Sequence, residues 1–211
     1  MTASTSHPDQ PKVVALVCSA GGLTALKQIV QQLPADFSAA VVVLQHLAPH
    51  SPSILSTLLS RGCRLPVHDV VDGEPITGGS IAVVPPGVHA LATNDGRFSL
   101  IASDGFPPYR PSADLLLTSL AVTSRTNVIA VVLSGLGQDG ATGALAVHHF
   151  GGCVIAADEE SSEHYAMPAA AISRDHAVDQ VMAVTEMASY FVDFIAGERP
   201  SRREKPQADL G

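Results

Sequence analysis

Apolar residues along this chain come in short, unbroken runs rather than in strict alternation. Val13–Val17, Ala39–Leu44, Asn127–Leu133 and Gly152–Ala157 are rich in valine, leucine, isoleucine and alanine, and each stops abruptly at glycine or polar residues. Runs of this length and composition predict strands buried on both faces, the pattern of a parallel sheet. Helical spacing follows the first run after the glycine turn Ser19-Ala20-Gly21-Gly22: Leu23, Leu26, Ile29, Val30 and Leu33 recur on one face. Shorter helices are predicted from Ile54 to Leu59, ending at Gly62, and from Met167 to Ile172. A longer one runs from Met182 to Ile195. Another carries Leu115, Leu116, Leu120 and Val122 and is capped by Ser112 or Asp114, and a further helix passes through Leu145 and Val147.

Between Leu65 and Ile101 the pattern changes. Short apolar pieces, Pro66–Val71, Ser80–Val84, His89–Ala92 and Arg97–Ile101, are separated by glycine and proline. Asn94-Asp95-Gly96 is a strong hairpin-turn signal. These pieces predict short strands, some antiparallel, attached to the parallel core. Phe106–Pro111 holds three prolines and predicts an extended loop. Strands alternating with helices give an α/β class, a doubly wound, Rossmann-like three-layer domain with a mostly parallel sheet and a short antiparallel hairpin. The expected domain is 12–196, between a polar tail at 1–11 and a charged tail at 197–211.

Composition narrows the function classes. Hydrophobic residues make up 46% of the 211 positions but aromatics only 4%, so the core is aliphatic. A net charge of −8 argues against nucleic acid as a partner, because phosphate binding needs clustered lysine and arginine. Cys18, Cys63 and Cys153 are widely spaced and form no CxxC pair, so small buried hydrophobes are expected rather than disulfides or a metal site. No apolar run approaches the roughly 20 residues that cross a bilayer, so no membrane insertion is expected and a cytoplasmic location is.

Candidate chemistry sits where the apolar runs end. Ser19, His46 and Asp139 each stand just beyond a predicted strand. If the strands are neighbours in one parallel sheet, all three lie at its carboxyl edge, where open α/β sheets bind ligands. That trio is the inventory for nucleophilic hydrolysis: serine attacks, histidine takes its proton and aspartate orients the imidazolium. The order Ser…His…Asp differs from that of α/β-hydrolases, and Val17 occupies the position where G-x-S-x-G needs its first glycine. The plainer reading is a glycine turn with a solvated serine and a polar loop histidine, one of nine in the chain. His46 and His50 have the spacing of a helical metal pair, but Pro49 lies between them, and no metal is expected. His148 and His149 point to different helix faces and are not expected to share a ligand. Gly21-Gly22 lacks the G-x-G-x-x-G pattern of a nucleotide-phosphate cradle.

Six motifs in order then carry a resemblance. Ser19-Ala20-Gly21-Gly22 is similar to an S-T-G-G nucleophile turn, and Gln45-His46 to a Q-H pair. Asp72-Gly73 with Val83–His89 is similar to D-G…I-A-P-G-x-x-H. Arg110–Asp114 is similar to R-P-S-V-D, and Leu133–Gly140 to L-T-G-M-G-x-D-G. Tyr165–Pro168 with Ala171-Ile172 is similar to F-G-M-P…A-I. Together they resemble the catalytic domain of the chemotaxis-type protein-glutamate methylesterases, the CheB family, over about residues 12–195. The resemblance implies a serine hydrolase without cofactors that removes γ-methyl esters from glutamates on chemoreceptor cytoplasmic helices. Deamidation of protein glutamines is a second activity it implies. Ser19 matches the nucleophile, His46 the general base and acid, and Asp139 the orienting carboxylate; Ala20, Gly21 and Leu136 match the oxyanion and active-site loops.

Departures from the family pattern bear on partners. About a dozen residues precede the first strand, too few for the family's phospho-receiver domain, so a stand-alone catalytic domain is expected, with any receiver or signalling protein on another subunit. Ala20 replaces the family threonine, and Leu136 replaces its methionine at similar volume. The acidic charge gives no steering toward acidic receptor helices, so another methylated protein is an alternative substrate. Arg110 stands either as a contact for a substrate carboxylate or as a partner for a nearby acid. A catalytically weak, CheB-like scaffold in a signalling complex is the alternative to an active esterase.

Overall fold

The computed structural model describes residues 11–48, 52, 54–102 and 111–197. Residues 1–10 and 198–211 of the predicted tails, most of the proline loop, His50 and Arg110 lie outside the described residues.

Strand β1 (Val13–Cys18) is buried along its whole length. Its β-branched and aliphatic side chains alternate between two apolar layers, as successive strand residues must. Val14, Leu16 and Cys18 enter one core, and Val13, Ala15 and Val17 the other. The next strands in the chain are β2 (Ala40–Gln45), β3 (Val67–Asp69), β4 (Ile81–Val83), β5 (Val88–Ala92) and β6 (Phe98–Ala102). They are followed by β7 (Val128–Val132), β8 (Cys153–Ala157) and β9 (Gln180–Met182). Seven of them form one all-parallel sheet in the order β3-β4-β2-β1-β7-β8-β9. β5 and β6 pair antiparallel in a separate two-stranded sheet. Their hairpin turns at Asn94-Asp95-Gly96, with Gly96 at φ 73° where a Cβ is disfavoured.

Helices α1 (Gly22–Gln32), α2 (Leu55–Ser60), α3 (Ala113–Ser124), α4 (Ala141–His149), α5 (Ala166–Ile172) and α6 (Val184–Ala196) cover the sheet. α1, α2 and α6 fill one face through residues such as Leu26, Ile29, Leu59 and Phe191. α3, α4 and α5 fill the other through Leu116, Leu117, Leu120, Val147 and Met167. The result is the predicted three-layer, doubly wound fold with a short hairpin.

Sheet order fixes where a site can form. From β1 the chain builds outward through β2 on one side, then returns to build through β7 and β8 on the other. The crevice between β1 and β7 is therefore a topological switch point, open at the carboxyl ends of the strands.

Three expectations need correction. On α3, Leu115 and Val122 are 42% and 48% exposed; the buried face is Leu116, Leu117, Leu120 and Ala121, because packing against both sheet and α4 turns the helix to that side. Met182 belongs to the edge strand β9, which pairs with β8, so α6 starts at Val184. Cys63 is only partly buried, unlike Cys18 and Cys153.

α3 and α4 approach closely because position 143 has no side chain. A Cβ on Gly143 would lie 2.6 Å from Leu117 Cβ and 3.1 Å from the Asp114 backbone. Backbone cannot give way as a flexible side-chain tip does. Gly143→Ala is expected to destabilise the domain by about 1–3 kcal/mol, the usual cost of overpacking, as read by urea unfolding.

Candidate active site

The three residues singled out at strand ends are brought to one edge by strand pairing. Cys18 is opposite Gln45 on β2, and Val17 is opposite Val132 on β7. The ladder continues one step past the strands: the His46 N–H donates to the Cys18 carbonyl at 3.0 Å, and the Ser19 N–H donates to the Ser134 carbonyl at 2.9 Å. Ser19 thus sits between the chains carrying His46 and Ser134, about one strand spacing (~4.8 Å) from each.

The Ser19-Ala20-Gly21-Gly22 turn is shaped by exclusion. Gly21 has φ 74°, and a Cβ there would lie 2.6 Å from Glu163 Cβ and 2.8 Å from Ser134 Oγ. A side chain at Gly22 would run into Cys18, and one at Gly135 would come within 2.8 Å of Ser19 Cβ and strike Met167 Sδ. Ser134, 1% exposed, ties the turn down: its hydroxyl donates to the Ala20 carbonyl at 2.9 Å and accepts from the His164 N–H at 3.0 Å. Gly135 N–H in turn donates to the His164 carbonyl at 2.9 Å. Leu136, in the loop after β7, is 55% exposed and leaves its side chain outside this packing.

Asp139 is 4% exposed and is the acceptor around which the rest converges. Its Oδ2 lies 2.8 Å from His46 Nε2 and accepts from the Ala113 N–H at 2.6 Å. Its Oδ1 accepts from the Asp114 N–H at 3.1 Å and from Ser112 Oγ at 3.2 Å. The His46 bond assigns the neutral tautomer: Nε2 carries the proton, and the basic lone pair is on Nδ1. The amino terminus of α3 supplies the backbone donors, and its partial positive charge favours the carboxylate.

Asp114 makes the reverse connection. Its Oδ1 accepts from Gly140 N–H at 3.0 Å and from Gly143 N–H at 2.7 Å, in the first turn of α4. Each carboxylate therefore caps the helix that begins beside the other. Of the two caps predicted for α3, Ser112 serves α3 itself through Leu115 N–H, while Asp114 serves α4. His89, on the hairpin, holds this arrangement from outside by accepting the Ser112 N–H on Nδ1 at 3.0 Å.

Sequence reading missed Ser112, Asp114, His89 and Ser134 as parts of the site. All four fall within motifs already quoted, but their partners lie 23 or more positions away or act through backbone groups, which leave no side-chain signature. A second buried His–Asp pair, His148 Nδ1 with Asp179 Oδ1 at 3.4 Å, lies at the opposite edge of the sheet, where β8 begins and the Val154 N–H donates to Asp179. Strand polarity separates it from the Ser19 edge. Among the described residues, no group of three or more histidine, cysteine or acidic side chains has a metal-binding arrangement.

The family model described as CheB methylesterase matches residues 14–191. The chain belongs to the CheB methylesterase family. It is similar to the crystal structure of the Thermotoga maritima CheB methylesterase catalytic domain, with a TM-score of 0.83 and 32% identity, covering 88% of this chain and 100% of that one. It is 32% identical to a protein-glutamate methylesterase/protein-glutamine glutaminase of Trichodesmium erythraeum, over 86% of this chain and 52% of the relative. It is 34% identical to protein-glutamate methylesterase/protein-glutamine glutaminase 4 of Myxococcus xanthus, over 89% and 53%. The chain thus spans about half the length of these curated relatives. No helix among the described residues is long and apolar enough to cross a membrane.

Charge inside the CheB-type site is unevenly distributed. Burial works to raise the Asp139 carboxyl, but the hydrogen bonds from His46, Ala113 and Asp114 and the attraction of His46 outweigh it and hold it below the usual carboxylate value. Burial pushes the Asp114 carboxyl up, and the neighbouring Asp139 charge adds to this against the Gly143 and Gly140 N–H groups. The two therefore affect stability with opposite signs. Asp139 contributes stability that is present above the ordinary value of about 3.9 and lost as pH falls through its lowered folded value. Ionised Asp114 opposes folding, and that penalty disappears as pH falls through its raised folded value. Urea unfolding from pH 3 to 8 is expected to show the gap between wild type and Asp139→Asn narrowing below about pH 4. The gap between wild type and Asp114→Asn should begin to narrow at higher pH, above the ordinary carboxylate value. Gaps that stay constant with pH would contradict these assignments.

Proposed function

We propose that this chain is a serine hydrolase that removes γ-methyl esters from protein glutamates and also deamidates protein glutamines. The observation that supports it most directly is the 2.8 Å His46–Asp139 pair set one strand spacing from Ser19 at the switch point. The printed activities of the similar relatives point the same way. Methylated chemoreceptor cytoplasmic helices are the proposed substrate, with a separate receiver or signalling protein as a further partner.

Chemistry follows from the arrangement. Ser19 Oγ attacks the ester carbonyl while His46 Nδ1 takes its proton, and Asp139 holds the resulting imidazolium by its Nε2–H. Negative charge develops on the carbonyl oxygen and is met by backbone N–H groups of the Ala20-Gly21 turn and the Leu136 loop. The C–O bond to methoxide breaks, His46 returns the proton, and methanol leaves an acyl-Ser19. Water, deprotonated by His46, then attacks the acyl carbon, releasing glutamate and restoring the Ser19 hydroxyl. With a glutamine the leaving group is ammonia and the same two steps apply. None of these steps calls for a cofactor.

Methanol release from a methylated receptor cytoplasmic fragment tests this reading. Wild type should release methanol, Ser19→Ala and His46→Ala should not while remaining folded, and Asp139→Asn should lose about three to four orders of magnitude in kcat. A serine-directed fluorophosphonate should label wild type and not Ser19→Ala. Wild-type turnover in Ser19→Ala would overturn the assignment; a folded wild type with neither labelling nor turnover would point to a scaffold.

A further inference from the structure

Two of the four donors around Asp139 are backbone N–H groups at the start of α3, and one side chain ties the Asp139 loop to that helix start. Asp114 donates its own N–H to Asp139 Oδ1, and with its carboxylate it accepts the N–H of Gly140, the residue directly after Asp139, and that of Gly143. It therefore grips the Asp139-bearing loop from both ends. The grip is short because Gly143 lets α4 come within contact of α3. The Asp114 and Asp139 carboxyls interact directly, and the carboxyl of Asp114 is half-buried, so its charge is weakly screened by solvent.

Building on the reading of Ser19, His46 and Asp139 as a hydrolytic relay, we propose that Asp114 is a positioning residue for it. Its carboxylate sets the place of Asp139 through the first turn of α4. It also adds a second negative charge behind His46, which favours the imidazolium formed when Ser19 attacks. The other titratable groups connected to this point are Asp139, which accepts the Asp114 N–H, His46 from the end of β2, which bonds Asp139, and His89 from β5, which acts through Ser112. Arg174, after α5, reaches the same turn of α4 by donating to Thr142 Oγ1 at 3.1 Å. None of these is a substitute acceptor for both Gly140 and Gly143. An N–H pair left without it loses two charge-assisted bonds at once.

Two substitutions separate position from charge. Asp114→Ala removes both; kcat for methanol release from the methylated receptor fragment should fall about ten- to a hundredfold with KM little changed. Asp114→Asn keeps an oxygen that accepts from Gly140 and Gly143, so it should recover most of that loss. Its missing charge should move the acid limb of the pH–kcat/KM profile to lower pH by about half a unit. NMR titration of the His46 ring in wild type and Asp114→Asn reads the same displacement without turnover. It therefore remains informative if the fragment is not a substrate or if Asp114→Ala does not fold. A role confined to helix capping would lower the folded population and leave both the limb and the ring titration in place. That result, or wild-type kcat in Asp114→Ala, would overturn the proposal. Absence of Ser19-dependent turnover together with a displaced His46 titration would instead overturn the esterase reading and leave the role of Asp114 standing.

Discussion

A carboxylate that is 4% exposed survives in a folded protein only where donors replace its lost water. At Asp139 that requirement organises the site. Four groups from two elements meet it: the His46 ring, the Ser112 hydroxyl and the Ala113 and Asp114 N–H groups. To supply them, α3 must point its amino terminus at the end of β7, and α4 must start beside it. Close helix packing at Gly143 and the reciprocal cap from Asp114 follow from the same demand. The carboxylate that orients the histidine is thus also the fastener between two helices of one layer.

Strand polarity does the rest of the placement. An all-parallel sheet brings every strand's carboxyl end to one edge, so three residues distant in sequence meet without any long-range side-chain design. The order β2-β1-β7 then puts Ser19 between the other two chains. The second buried pair, His148 with Asp179, shows the value of polarity by contrast. It has similar residue types and lies at the wrong edge for the Ser19 turn.

Much of this was legible in the sequence. The unbroken aliphatic runs named the central strands, because parallel strands covered on both faces have no polar side to show. Ser19, His46 and Asp139 stood out because each stands beyond the carboxyl end of such a run. What escaped the reading escaped for physical reasons. β9 is three residues long at a sheet edge and has no buried run. On α3 the three consecutive leucines at 115–117 spread apolar residues over more than one face, so periodicity could not say that Leu116, Leu117 and Leu120, rather than Leu115 and Val122, face inward. Asp114 looked like a cap for its own helix, since that is the local option a sequence offers. Its carboxylate instead bonds Gly140 and Gly143, 26 and 29 residues on, which only the close approach of two helices permits.

The exchanged caps also set how the domain can open. The amides of Ala113, Asp114, Gly140 and Gly143 all end on two neighbouring carboxylates, so releasing either helix start strips donors from a carboxylate held away from water. They form one unit of local unfolding, and that unit contains Asp139. Fraying at either helix start is at once a loss of the histidine's partner. Ordinary breathing of this layer and loss of a competent site are then the same microscopic event. Any modulation of the site that leaves the fold intact must act on access to Ser19 rather than on the geometry behind it.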